Sequence, residues 1–208
     1  MRIVCIADTH SRYEGLEIPD GDILIHAGDL TSLGRPAEVV EAADFLQRLP
    51  HRHKIVIAGN HDFLFEREPE KAEAVIARSG CTYLLDTEVE VEGLRIYGSP
   101  WQPWFGDWAF NLGRGYDIRQ KWDLIPKGID ILVTHGPPRG ILDEMTSGER
   151  VGCEELLEKV RELKPKWHVF GHIHEGYGQV KDGDTEFVNA SICDIRYDPI
   201  NKPRVLKT

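Results

Sequence analysis

The 208-residue chain has 41% hydrophobic residues, 35 acidic side chains and 25 basic side chains, which give a formal net charge of −10 at pH 7 with histidine neutral. This length and apolar fraction suit one domain with a substantial core, predicted over residues 1–208. The negative balance argues against a broad surface for duplex nucleic acid or an anionic membrane, but a small phosphorylated ligand stays possible because bound cations can reverse the local sign of a site.

The sequence shows no feature typical of a membrane or disulfide-rich protein. No apolar stretch reaches the roughly 18–20 residues that a spanning helix needs. The first residues, MRIVCIAD, turn polar too soon for a secretory signal and indicate a strand. Four cysteines are scattered without a CxxC pair: Cys5, Cys81, Cys153 and Cys193. We therefore expect a cytoplasmic protein without disulfides, in which Cys5 acts as a small buried hydrophobe.

Short β-rich runs recur along the chain, and each ends abruptly in polar residues. In chain order they are RIVCIADTH (2–10), DILIHAGD (22–29), KIVIAGNHD (54–62), LRIYGSP (94–100), DILVTHGPP (130–138), WHVFGHIH (167–174) and TEFVNAS (185–191). Continuous Val, Ile and Leu runs bounded by Gly, Asn and Asp predict strands that are covered on both faces.

Helical patterns lie between several of these runs. PAEVVEAADFLQRL (36–49) begins with a proline suited to a first turn and predicts a buried face of Val39, Val40, Ala43 and Leu46. PEKAEAVIARSG (69–80) begins with proline and stops at glycine, and CEELLEKVRELKP (153–165) has one leucine-rich stripe. Strands that alternate with helices predict an α/β fold.

The polar residues that follow the strands are mostly metal ligands or proton carriers. They are Asp8, His10, Asp29, Asn60, His61, Asp62, His135, His172 and His174. In α/β folds the carboxyl ends of strands converge on the ligand site, so we expect these side chains to meet. Alternate residues of extended backbone share a face, which predicts that the Asp8/His10 and His172/His174 pairs each point at one region.

This set has more ligands than the four that close a structural zinc site, and it mixes oxygen with nitrogen and has no thiolate. It indicates two divalent cations, with manganese favoured and iron, zinc or cobalt as alternatives. Asp29 could bridge them and a bridging hydroxide could attack phosphorus. His61 could act as general acid, with Asp62 accepting from its other ring nitrogen.

The motifs after the strands form a series: Asp8-Thr9-His10, Gly28-Asp29, Gly59-Asn60-His61-Asp62, Thr134-His135-Gly136 and Gly171-His172-Ile173-His174. In this order they resemble the signature blocks of the calcineurin-like metallophosphoesterases. The longer strings ADTHS, HAGDLT, GNHD, THGPP and FGHIHEGYG, with YGSPWQPWFGDWAFN between, are similar to one branch, the metallophosphoesterase-domain-containing (MPPED-like) group of small phosphodiesterases. The resemblance implies a four-layer α/β/β/α sandwich.

The resemblance also implies how the ligands divide between two metals. The first would be held by Asp8, His10, Asp29 and His174, and the second by Asp29, Asn60, His135 and His172. Asp29 would be the bridge, His61 the general acid and Asp62 its orienting partner. Some relatives in the branch have glycine where this chain keeps His174, so we expect both metals to be bound here.

The expected function is therefore a dinuclear metal-dependent hydrolase of phosphoric esters. A phosphodiesterase for small phosphodiesters, including cyclic nucleotides, follows from the resemblance rather than from residue chemistry. A phosphomonoesterase is the alternative within the enzyme class, and a nuclease is disfavoured because the acidic chain offers no basic groove. Outside the enzyme class, the alternative is a non-catalytic metal-binding scaffold, since the family that the sequence resembles includes a scaffold protein with a degraded site. The expected partner is a small phosphorylated molecule.

Several other residues have two possible roles. The aromatic segment Trp101–Phe110 could stack a nucleobase or could pack against itself. Asn111, Arg114 and Arg119 could reach a phosphate. His26 is expected to be structural, and solvated surface is the default expectation for three further histidines: His51, His53 and His168.

Overall fold

Two mixed β-sheets form the centre of the computed structural model, which describes residues 1–207. The first sheet has the order β13-β1-β2-β3-β4 and consists of β1 (Arg2–Ile6), β2 (Ile23–Ala27), β3 (His53–Ile57), β4 (Thr82–Tyr83) and β13 (Arg204–Lys207). The second has the order β11-β12-β10-β9-β6-β5 and consists of β5 (Thr87–Val91), β6 (Leu94–Ser99), β9 (Ile131–Thr134), β10 (Trp167–Phe170), β11 (Gly178–Asp182) and β12 (Thr185–Asn189). A small parallel pair is formed by β7 (Gln102–Pro103) and β8 (Asn111–Leu112).

The helices lie between the strands in sequence, as the alternation predicts. They are α1 (Pro36–Arg48), α2 (Phe63–Arg67), α3 (Pro69–Arg78), α4 (Tyr116–Trp122) and α5 (Glu154–Leu163), and a single 3₁₀ turn covers His174–Gly176. The prediction of α1, α3 and α5 is confirmed. One position of the predicted α1 face is wrong: Val40 is 46% exposed, because Ala42 and Phe45 turn inward and rotate the buried stripe away from it.

Three apolar clusters define the layers. One packs the first sheet against α1 and α3, and includes Val4, Leu24, Val56, Leu46 and Ile76. The second fills the space between the sheets, and includes Ile3, Ile25, Ile57, Ile131 and Val133. The third packs the second sheet against α4 and α5, and includes Leu132, Phe170, Ile118 and Leu156. Since neighbouring strand residues enter different clusters, both sheets are covered on both faces, and the α/β/β/α sandwich is confirmed.

The strands run so that their carboxyl ends meet at one edge. β1, β2 and β3 are mutually parallel, and so are β6, β9, β10 and β12. A bridge between Ala7 and Ser191 joins the two sheets at this edge, with Ala7 N donating to Ala190 O at 2.9 Å. The loops that leave both sheets therefore start beside one another.

Buried histidines correct two expectations from the sequence. His51 and His168 are 4% and 0% exposed, so the prediction of solvated surface is wrong for both; His53 is partly exposed. His26 and His168 each hydrogen-bond a buried threonine hydroxyl, at 2.9 and 2.8 Å. The threonine hydroxyls pair the Nε2 atom of each ring, while the Nδ1 atom of each is buried without a partner among residues 1–207. The structural role expected for His26 is confirmed.

The cysteines are free and buried, as expected from their spacing. No helix within residues 1–207 has the length and apolar character required to cross a bilayer. The organisation of residues 1–208 as one domain stays a prediction.

Candidate metal centre

The predicted site residues meet at the shared edge of the two sheets. Asp8 and His10 follow β1, Asp29 follows β2, Asn60 and His61 follow β3, His135 follows β9, and His172 and His174 follow β10. All are buried except His172 and His174, which are partly exposed. Two separate sheets thus supply one site, as strand ends in α/β folds commonly do.

The backbone at this edge is not extended. The Asp8/His10 and His172/His174 pairs therefore do not share a face through strand alternation, as the sequence analysis expected. Asp8, His10, Asp29 and His172 have φ values of 53°, 43°, 55° and 68°. The left-handed region is uncommon for residues other than glycine and costs about 1–3 kcal/mol at each such position. The chain therefore turns sharply after β1, β2 and β10, and it is this turn, rather than strand alternation, that directs Asp8, Asp29 and His172 into the site.

The potential ligand atoms form three groups, and within each group they lie no more than 4.8 Å apart. The groups are Asp8 with His10 and His174, His10 with Asp29 and His61, and Asp29 with His135 and His172. Asp29 occurs in two of them. Its Oδ2 lies 3.4 Å from His135 Nε2 and 3.8 Å from His10 Nε2. Asn60 Oδ1 lies 2.9 Å from His135 Nε2, so an amide oxygen joins the group on the His135 side. The carboxylate of Asp29 lies between the two ends of the site.

The ring nitrogens are arranged to accept cations. His174 Nδ1 donates to Asp194 O at 2.8 Å, and His135 Nδ1 donates to Ala27 O at 3.0 Å. A backbone carbonyl can only accept, so in the neutral ring the Nε2 lone pair points into the site. His174 Nε2 also lies 3.3 Å from His10 Nε2, and His10 Nδ1 has no partner within residues 1–207. Lone pairs that converge with two carboxylates fit divalent metal ions.

Burial and charge set the protonation of the metal-free site. Burial opposes ionisation of Asp8 and Asp29, but the neighbouring His174 and His135 hold both carboxyl pKa values well below their usual range. Burial likewise opposes protonation of His135, yet the charge and hydrogen bond of Asp29 raise its pKa to about 9. Burial lowers the pKa of His172 to about 3. The carboxylates are thus ionised and the His172 ring is neutral, the states that bind metal, whereas His135 must release a proton when a cation binds.

Close backbone approach holds the carboxylates in place. Ser191 Oγ donates to Asp8 Oδ2 at 2.6 Å, and His172 N donates to the same oxygen at 2.9 Å. A Cβ on Gly171 would overlap the Asp8 carboxylate, and a Cβ on Gly59 would overlap that of Asp29. The glycines of the GHxH and GNHD motifs are therefore required by space, and Ser191 is a supporting residue that the sequence motifs did not reveal.

The prediction that Asp62 accepts a hydrogen bond from the His61 ring is wrong. His61 Nδ1 donates to Ser32 O at 2.7 Å, because the loop after β2 passes beside the ring. Asp62 instead accepts from Leu30 N at 3.2 Å, Thr31 N at 2.9 Å, Thr31 Oγ1 at 2.7 Å and Gly59 N at 2.9 Å. Asp62 thus ties the loops after β2 and β3 together, and it affects His61 through the backbone.

A pocket of about 270 Å³ opens over the site, and aromatic residues form much of its wall. Phe105 and Trp108 line it, and the Trp108 ring lies 4.3 Å from the His61 ring between centroids. Tyr197 also lines it, with its ring 4.7 Å from that of His10. Nothing in the sequence motifs pointed to Tyr197, which comes from the irregular segment after β12. Trp101 instead is half-buried and packs against two of the core clusters.

The three residues considered for phosphate binding are occupied elsewhere. Asn111 Nδ2 donates to Gly106 O at 2.8 Å. Arg114 pairs with Glu154 and donates to two backbone carbonyls, and Arg119 pairs with Glu158. These side chains thus stabilise a loop and two helices of the protein.

Comparisons with known proteins agree with this geometry. Residues 1–176 match the model of a family described as calcineurin-like phosphoesterase. The chain is 51% identical over 228 residues to the human protein named "Metallophosphoesterase domain-containing protein 1", covering 99% of this chain and 70% of that protein. It is 26% identical over 189 residues to a Synechococcus protein named "Probable cyclic nucleotide phosphodiesterase", covering 88% of this chain and 69% of that protein.

Solved structures support the fold alone. One crystal structure is similar with a TM-score of 0.69 and 16% identity, covering 99% of this chain and 98% of that one. The structure of TT1561 from Thermus thermophilus gives a TM-score of 0.60 and 15% identity, covering 90% of this chain and 88% of that one.

Proposed function

The chain belongs to the calcineurin-like phosphoesterase family, and from this we propose that it is a dinuclear metal-dependent phosphodiesterase for small phosphodiesters, with cyclic nucleotides among the candidate substrates. The observation that carries the proposal is the position of Asp29, which takes part in ligand groups on both sides with His10 and His135. Similarity to a protein named as a cyclic nucleotide phosphodiesterase supports the diester preference.

In this proposal the ligand residues divide as the motifs imply. Asp8, His10 and His174 would hold one cation and Asn60, His135 and His172 the other, with Asp29 shared. Two bound cations supply charge stabilisation at phosphorus and a water activated for in-line attack. Manganese is favoured among the metals that accept mixed oxygen and nitrogen ligands.

The protein's own part in proton transfer falls to His61. Its Nδ1 is held by Ser32 O at 2.7 Å, so only Nε2 is free for the substrate. His61 Nε2 lies 4.0 Å from Asp29 Oδ2, at the wall of the open pocket. A protonated Nε2 there donates its proton to the departing alkoxide as the P–O bond breaks, which is general acid catalysis.

The test compares two chromogenic esters on the same preparation: bis-p-nitrophenyl phosphate, a diester, and p-nitrophenyl phosphate, a monoester. The protein is first stripped by a chelator and then reloaded with Mn²⁺. We expect diester hydrolysis that disappears on chelation and returns with Mn²⁺. A strong monoester preference would instead favour a phosphomonoesterase, and no turnover of either ester by metal-loaded protein would favour a non-catalytic scaffold.

A further inference from the structure

A second cavity, of about 550 Å³, adjoins the pocket over the candidate metal centre. We call it the side cavity, lined by residues 102–105, 114, 136–137, 145, 149, 151, 172–173 and 175. Phe105, Met145, His172 and Glu175 line both spaces. Because His172 is a candidate metal ligand and lines both spaces, the side cavity lies within reach of a substituent of a phosphate group held at the candidate metal centre.

Much of the side-cavity wall is apolar and unusually exposed. Trp104 and Phe105 are 63% and 48% exposed, and Met145 is 40% exposed. Pro103 and Val151 continue this apolar surface. Large aromatic side chains left open on a concave surface are typical of a binding site, since such residues are otherwise buried in a core.

Three polar side chains of the wall present acceptor oxygens: Gln102, Glu149 and Glu175. Glu149 and Glu175 bring carboxylates, and neither forms an ion pair with Lys or Arg within the part of the chain that the structure describes. Glu175 Oε1 accepts from Thr146 Oγ1 at 2.9 Å and from Thr146 N at 3.1 Å, and both donors are neutral. Gln102 is 1% exposed; its Nε2 donates to Ala109 O at 2.7 Å, while its Oε1 has no hydrogen-bond partner among residues 1–207. The wall therefore offers negative charge and an oxygen atom that lacks a donor.

No cation of the wall compensates for these acceptors. Arg114 is the cationic side chain of the lining, and both of its terminal nitrogens are engaged by acceptors of the protein. It pairs with Glu154 and donates to Gly152 O at 2.9 Å and to Val151 O at 2.7 Å. His172 also lines the cavity, and as a metal ligand its ring is neutral. An anionic substituent would meet two carboxylates here without a counter-charge.

We propose that the side cavity binds an organic ammonium group carried by one alcohol of the phosphodiester substrate. This inference rests on the proposed phosphodiesterase function and narrows its substrate class. An ammonium group is attracted by the faces of Trp104 and Phe105 and by the carboxylates of Glu149 and Glu175, and its alkyl substituents bury apolar surface. In this arrangement the anionic phosphate binds at the metals, and the cationic ammonium group binds in the side cavity.

Three matched diesters test the proposal on the Mn-loaded full chain: p-nitrophenyl phosphocholine, its uncharged isostere p-nitrophenyl 3,3-dimethylbutyl phosphate, and an analogue with a carboxylate at the same distance. We expect kcat/KM to be about 2- to 30-fold higher for the ammonium diester than for the isostere, and lowest for the carboxylate. The charge difference alone distinguishes the first two compounds. Equal kcat/KM values for them would overturn the proposal.

Variants assign the preference to the side cavity. Glu149→Lys is expected to abolish or reverse the ammonium preference, because it places a cation in the wall. Glu70→Lys, on the exposed face of α3, makes the same change in net charge far from the site and should keep the preference. If Glu149→Lys does not fold, Trp104→Ala removes an exposed ring and should reduce the preference. An unchanged preference in the folded variants would overturn the assignment.

A binding measurement separates this inference from the proposed function. Calorimetry with phosphocholine and with 3,3-dimethylbutyl phosphate needs no turnover, and tighter binding of phosphocholine is expected. Hydrolysis of bis-p-nitrophenyl phosphate without any ammonium preference would sink the inference alone. Failure to hydrolyse any diester would sink the proposed function, while the calorimetric comparison would still decide whether the side cavity selects an ammonium group.

Discussion

The candidate metal centre and the side cavity touch at His172 but are built differently. Asp8 and His135 of the metal centre are each 0% exposed, and strand ends from both sheets hold them. Trp104 of the side cavity is 63% exposed and belongs to the segment between β7 and β8. The comparison teaches that the reactive groups are fixed by the sandwich itself, whereas the groups that face the rest of a substrate are carried by loops.

The two regions should therefore respond differently to substitution. A buried, hydrogen-bonded polar group leaves unpaired partners behind when it is changed, which costs about 1–3 kcal/mol for each. An exposed side chain leaves few such partners, and its loss changes stability by about 0.5 kcal/mol or less. The variants below test this contrast, in order of decreasing expected effect.

His61→Ala should lower kcat for a diester with an alkyl leaving group by about 10²–10⁴-fold, because it removes the proposed general acid. The loss should shrink for p-nitrophenolate, which leaves without a proton. Metal content, measured by elemental analysis, should stay at the wild-type value. Equal losses for both leaving groups, or the loss of a metal ion, would make His61 a ligand rather than a proton donor.

Asp62→Asn should reduce the free energy of unfolding by about 1–3 kcal/mol, since in either orientation the new amide NH₂ must face at least one backbone N–H group. Those donors come from Leu30, Thr31 and Gly59. Asp107→Asn, at an exposed position of the aromatic segment, is the matched control and should change it by about 0.5 kcal/mol or less. Urea titrations compare the two, and similar stabilities would remove Asp62 from its structural role.

Ser191→Ala should weaken metal binding by about 10- to 100-fold, because it removes the hydroxyl that braces Asp8. Saturating Mn²⁺ should restore turnover, since Ser191 touches the carboxylate and not the substrate. A titration of activity against Mn²⁺ concentration measures the shift. A kcat that stays low at saturating metal would show that the hydroxyl acts directly in the reaction.

Trp104→Ala should leave the free energy of unfolding within about 0.5 kcal/mol of wild type, because most of the ring is exposed. Trp122→Ala provides the contrast: that ring is 1% exposed, and its loss should cost about 3–5 kcal/mol. Urea titrations of both variants are sufficient. A large destabilisation by Trp104→Ala would mean that the aromatic wall supports the fold and not only a substrate.

The convergence of the candidate metal-centre residues could be predicted because strand and motif coincide. Each of Asp8, Asp29 and His135 closely follows a strongly apolar strand, and parallel strands bring their ends together. Their backbone could not be predicted, because the left-handed φ of Asp8 and His172 accompanies contacts with other loops that the sequence does not show, such as the hydrogen bond from Asp8 N to Gly28 O at 2.9 Å. The Asp62 contacts were missed for the same reason, since its partners are contributed by the loop after β2.

The site residues in the segment after β12 could not be predicted from sequence patterns. Ser191 and Tyr197 lie in irregular chain, where periodicity carries no signal. They reach the site only because Ala7 and Ser191 join the sheets. His168 was assigned to the surface because histidine is commonly exposed, yet the Thr134 hydroxyl provides it with a buried partner.

The central claim is that one carboxylate, Asp29, is shared by two cations. The direct measurement is anomalous scattering from crystals of the Mn-loaded protein, combined with elemental analysis of the same preparation and of Asp29→Asn. The account predicts two ions per chain about 3.5–4 Å apart, both in contact with Asp29, and impaired binding of both ions in the variant. A single ion, two ions that do not share Asp29, or an Asp29→Asn variant that retains both ions in full would contradict it.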